Sequence, residues 1–147
     1  MEENYKLAVH AEVSLLFHLA NADAILLPDE ITNIYHHAQL SRKGGWRLSR
    51  VEEVDFSMKN PMTLARAIEQ VFTHKVEEKL LLLEFLALSC TIAAEVKLEE
   101  QQILLTIIAG IFPDQEDIAM QFLLNVMEKQ AIFDAFGIPL TRTGTLN

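Results

Sequence analysis

The chain has a single cysteine, Cys90. No internal disulfide can be built from one thiol, which fits a reducing, cytoplasmic compartment. Basic residues are scarce: 12 Lys and Arg stand against 21 Asp and Glu, for a formal charge of −9. Phosphate contact needs a basic footprint, so nucleic acid is excluded as the main partner. The acidity suits a soluble protein with a cation site or a basic partner. No apolar run reaches the about 20 residues that cross a bilayer. The longest, Leu80 to Ala94, is interrupted by Glu84. The opening Met1-Glu2-Glu3-Asn4 is acidic and has no basic n-region before an apolar run, so a secretory signal is not expected. No segment alternates as a strand would, no low-complexity tract appears, and no linker divides the chain.

Catalytic signatures are missing as well. None of the five histidines (His10, His18, His36, His37, His74) has an acid three residues before it, so the Glu-x-x-His of di-iron bundles is absent. There is no His-Glu-x-x-His, and Lys43-Gly44-Gly45 alone does not make a phosphate loop. His36 and His37 are adjacent on a predicted helix and point about 100° apart, so they do not share one ion. The histidines are read as solvated or core-edge groups. Cys90 has no base near it in sequence and is read as a buried structural thiol.

What is present is helix. Half of the residues are hydrophobic (50%), enough for a sizeable core in one domain of 147 residues. Leu80 to Ala94 is apolar around the whole helical wheel, so it is expected to be a central helix buried on every side. The first helix is predicted from Tyr5 to Ala22, with Leu7, Val13, Leu16, Phe17 and Ala20 inward and Lys6, Glu12 and Asn21 on the polar side. The second starts at Pro28, favoured in a first turn and followed by Asp29 and Glu30, and runs to Leu40. Ser49 with Glu52 has capping-box form and opens a short helix ending near Lys59. Asn60-Pro61 opens the next, to His74, with Leu64, Ala67, Ile68, Val71 and Phe72 inward. Leu98 to Ile111 and a last helix from Gln115 follow. The last is capped by Asp114 and buries Ile118, Phe122, Leu123, Val126 and Met127. The prediction is an all-α, single-domain bundle of about seven helices over residues 1–137, with 138–147 a polar, frayed tail.

Two stretches echo each other. In each, an apolar helix ends in alanines, turns, and re-enters a helix through acids: Leu15 to Ile31 and Phe85 to Gln101. Glu30 matches Glu100, which suggests an internal pseudo-repeat of helical hairpins. The pattern resembles the tellurite-resistance TerB-like family, whose members carry Ala-Asp-Gly-x-x-x-x-x-Glu at the turn after a long apolar helix. Here the first copy is Ala22 to Glu30 and the second is Ile92 to Glu100. The resemblance implies an all-helical domain linked to stress-related or membrane-linked protein complexes, and with no paired catalytic groups in the chain the leading expectation is a non-catalytic interaction domain. The resemblance also implies acidic clusters that hold metal ions: Asp23, Asp29, Glu30, Glu95 and Glu100. The motif glycines are Ala24 and Ala94, and the second aspartate is Ala93. Any divalent cation is therefore expected to bind weakly, and no other cofactor is expected. A divalent-metal-binding domain and a helical-bundle enzyme with a site assembled from distant residues are the alternatives.

The basic stretch Ser41 to Arg50 contains Arg42, Lys43, Trp46 and Arg47. Tryptophan and arginine are the residues that anchor interfaces, so Arg42, Lys43, Trp46 and Arg47 are the expected contacts for an acidic protein partner. The competing reading folds Trp46 back on the core.

Overall fold

A computed structural model describes residues 2–23, 25–40, 50–92 and 96–137, with side chains from Tyr5 onward. Arg42, Lys43, Trp46 and Arg47 of the expected partner loop, Glu95 of the second acidic turn, and the tail 138–147 lie outside the described residues.

Among the described residues the elements are seven α-helices: α1 (Glu2–Ala20), α2 (Pro28–Leu40), α3 (Val51–Lys59), α4 (Leu64–Phe72), α5 (Val76–Ile92), α6 (Leu98–Ile111) and α7 (Glu116–Ala135). This is an all-α helical bundle, and none of the helices is long and apolar enough to cross a membrane. Burial is shared by two helices. On α5, Leu82, Leu83 and Phe85 through Cys90 are all buried. On α1, the unbroken run Ala11 to Leu16 is buried too, because α2, α3, α4, α5 and α6 all pack against it. α7 and α2 cover α5, while α3 and α4 cover α1.

That arrangement corrects the expected amphipathic reading of α1. Glu12, assigned to the polar side, is 1% exposed. Two other inward assignments fail for lack of a covering element: Phe72, at the end of α4, is 50% exposed, and Ile118, in the first turn of α7, is 67% exposed. Helix starts also shift. The capping box of α3 uses Glu53, whose Oε1 accepts from the Arg50 amide at 3.1 Å, one residue after the predicted Ser49–Glu52 pair. α4 opens at Thr63, whose hydroxyl accepts from the Arg66 amide, so the Asn60-Pro61 segment is a link and not a helix start.

The link 60–62 is pinned to α1 by a ladder of three side chains one turn apart. His10 Nε2 donates to the Asn60 carbonyl at 2.7 Å and His18 Nε2 to the Met62 carbonyl at 2.6 Å. Between them Ser14 Oγ accepts from the Met62 amide at 2.9 Å and donates to the His10 carbonyl. The i, i+4, i+8 spacing puts all three on one face of α1. They hold the Asn60 carbonyl and both backbone groups of Met62, of which the Met62 amide is paired in a buried place.

Candidate functional site

Three features remain once the packing is accounted for: the acidic turns, a buried carboxylate–imidazole centre, and a surface groove.

The acidic turns come together. Glu30 Oε1 accepts from the Leu27 amide at 3.0 Å at the start of α2, and Glu100 Oε1 accepts from the Lys97 amide at 3.0 Å at the start of α6. Each glutamate closes the orphan amide at the entrance of its own helix, and both are 2% exposed. A cross-link ties the two turns: Lys97 Nζ lies 3.1 Å from Asp23 Oδ2. Asp23 Oδ1 accepts from the Ile25 amide at 3.0 Å. That bond, and then Lys97, hold the Asp23 carboxyl below its ordinary range. Burial pushes Glu30 up, opposed by the Leu27 amide and aided by the negative charges of Glu100 and Asp23. Cys90 lies in the same region: burial, then the charges of Glu100 and Glu30, push its thiol up to about 12. It is therefore a buried, protonated group and not a nucleophile. Asp29 is exposed in the first turn of α2.

These residues fit a hard cation poorly. Calcium takes six to eight oxygens. Asp23, Glu30 and Glu100 each already hold a backbone amide, and the second oxygen of Asp23 holds Lys97. The arrangement works as two helix caps joined by an ion pair.

The buried centre was not legible in the histidine pattern. Glu12 on α1 is held from both sides. His37 Nε2 on α2 lies 3.0 Å from Oε1, and His74 Nδ1, in the turn between α4 and α5, lies 2.7 Å from Oε2. A carboxylate only accepts, so both facing nitrogens donate. The side chains are 0% (His37) and 6% (His74) exposed. His37 packs edge-on against Phe85, with centroids 5.2 Å apart. The far nitrogens, His37 Nδ1 and His74 Nε2, are buried with no hydrogen-bond partner among the described residues. Glu78, in the first turn of α5, brings a carboxylate to the same place: one ligand atom each from Glu12, His74 and Glu78 lie within 4.8 Å of one another. The one sequence signal for this centre was Glu12 itself, a carboxylate set among Val9, Val13 and Leu16 on an apolar stripe.

The groove, of about 420 Å³, runs between α1 and α3 and is lined by Lys6, Leu7 and His10 on one side and Glu52, Glu53 and Phe56 on the other. Phe56 is 57% exposed and stacks edge-on against His10 at 5.6 Å.

No family model matches the chain, and neither a curated protein nor a solved structure matches it.

Proposed function

We propose that the chain is a non-catalytic, TerB-like interaction domain of the cytoplasm that binds a protein partner in the groove between α1 and α3. The observation that carries this reading is Phe56, a large apolar side chain left more than half exposed on the wall of a concave site. An aromatic anchor beside mixed charges is the composition of a protein-binding hot spot. Lys6 and His10 on one wall and Glu52 and Glu53 on the other would orient a polar backbone, while Leu7 and Phe56 receive an apolar side chain. Arg42, Lys43 and Arg47, earlier in the chain than α3, are the sequence's reason to expect an acidic partner segment, and Leu7 and Phe56 are the reason to expect an apolar one. The net charge of −9 argues for a protein and against a nucleic acid. The TerB-like part of the reading is supported by the two glutamate caps, Glu30 and Glu100, which repeat the same local device in two hairpins.

The test is peptide selection on the immobilised full chain, followed by fluorescence polarisation of the selected peptides. Acidic-apolar peptides that lose at least about 10-fold in affinity on Phe56→Ala, a hot-spot-sized effect, and are unaffected by Leu124→Ala on α7, are the expected result. Binding indifferent to Phe56→Ala would move the interaction to another face and overturn the groove.

A further inference from the structure

We propose that Glu12, His74 and Glu78 form a binding site for a divalent transition-metal ion of the zinc class, with His37 holding Glu12 in position. The site is separate from the acidic turns and from the groove, and the proposal does not depend on either.

The donors are the right kind. One imidazole nitrogen and two carboxylate oxygens make the mixed N/O set used by zinc and its first-row neighbours; a calcium site would be all oxygen. They come from three places in the chain, α1, the α4–α5 turn and the start of α5, and converge within 4.8 Å. Donors around a tetrahedral zinc with bonds of about 2.0–2.1 Å stand about 3.3 Å apart. Closing the set around an ion therefore needs side-chain movements of about 1 Å, and no rearrangement of helices.

The burial also points to a ligand. Glu12 and His74 are inside the protein, where an unsatisfied polar atom is costly. Yet His74 leaves Nε2 buried with no partner among the described residues, and His37 leaves Nδ1 the same way. An ion on the Glu12 side would take the place of the His74 Nδ1 proton, and the ring would then carry its proton on Nε2.

His37 completes the arrangement without touching the ion. Its Nε2–H donates to Glu12 Oε1 at 3.0 Å, and Phe85 stacks against its ring. A ligand carboxylate oriented by a hydrogen bond from a packed neighbour is the usual outer-shell support of a metal site. An ion here would tie α1 to the α4–α5 turn, with α2 as the brace.

The experiment uses the full chain without a histidine tag, stripped with a chelator and titrated with ZnCl2 by calorimetry and with CoCl2 by visible absorbance. Expected are one ion per chain at micromolar affinity or tighter, tetrahedral-type cobalt bands, and a rise in Tm with zinc. His74→Gln and Glu78→Gln are each expected to weaken binding by about 10–100-fold or more. Glu78 is only half-buried, so E78Q keeps the test alive if the His74 variant does not fold. Glu30→Gln, in the acidic turns, is expected to leave binding unchanged. Absence of one-to-one binding, binding unaffected by E78Q in the folded protein, or binding lost with E30Q would each overturn the site.

Discussion

The Lys79 ammonium donates to the Ile111 carbonyl at 2.9 Å, deep between α5 and the end of α6. It also donates to the Phe72 carbonyl at 3.3 Å, and it sits over the rings of Phe72 and Phe112. Ile111 ends α6 and Phe72 ends α4, so one buried cation serves the negative ends of two helices. Lys79→Met keeps the packed stem and removes the donor. The expected loss is about 1–3 kcal/mol by urea denaturation, the cost of leaving buried acceptors unpaired. A loss near zero would mean that water replaces the ammonium.

Leu83 and Leu86 on α5 have no exposed surface. Leu83→Ala and Leu86→Ala are each expected to cost about 2–5 kcal/mol, from lost burial plus a residual cavity. Leu105→Ala on the open side of α6 is the control, expected within about 0.5 kcal/mol of the parent. Equal losses at all three positions would contradict the burial pattern.

Glu30 and Asp23 work in opposite directions with pH. Burial raises Glu30 above the unfolded value, so its folded form prefers the proton. That contribution to stability is complete below the unfolded pKa and is lost as pH rises through the folded one. Asp23 is lowered, so its contribution is present above the unfolded pKa of 3.8 and is lost as pH falls through the folded value. Glu30→Gln keeps an oxygen for the Leu27 amide and removes the repulsion from Glu100 and Asp23. It is expected to stabilise the protein at pH 7 and to lose that advantage in mild acid. Parallel denaturation curves at the two pH values check the sign.

Hard cations are expected to bind the acidic turns only in the millimolar range or more weakly, because Asp23, Glu30 and Glu100 are occupied by backbone amides and Lys97. Calorimetry with calcium and magnesium tests this. Micromolar binding abolished by Asp23→Ala would show a real ion site there.

Gly110 on α6 faces Ile68 on α4 so closely that a Cβ at 110 would lie 2.2 Å from Ile68 Cγ2. That carbon is attached directly to the Ile68 Cβ and moves only by a χ1 change, which a helix disfavours for a β-branched residue. Gly110→Ala is expected to destabilise by about 1–3 kcal/mol through overpacking, set against a helix-propensity gain of about 1 kcal/mol. Ile68→Ala in the same chain is expected to relieve the clash. A shift in Tm that ignores residue 68 would place the strain elsewhere.

The helices were legible because their signals are local. Pro28 with its acids, and Leu98 to Ile111, were read at their observed bounds. Boundaries slipped where two adjacent residues offered the same chemistry, as with Ser49 and Glu52 against Arg50 and Glu53. Glu30 and Glu100 stand at matching places in the two stretches, but a pattern of acids does not say whether a carboxylate faces an ion or an amide. The Glu12 centre was hidden for a different reason. Glu12, His37 and His74 lie on three elements and share no spacing, so only the tertiary fold brings them together. Helical periodicity placed Glu12 on a polar face because a carboxylate in a stripe is normally solvated. The five helices around α1 leave it no such face between Ala11 and Leu16.

The clasp between α1 and the link 60–62 has a direction. His10 and His18 both give hydrogen to carbonyls through Nε2. The Glu12 centre runs the other way, because there α1 supplies the acceptor and two rings from other elements donate to it. One helix thus gives hydrogen bonds outward on the side that meets the 60–62 link and takes them in on the side that meets α2 and the α4–α5 turn.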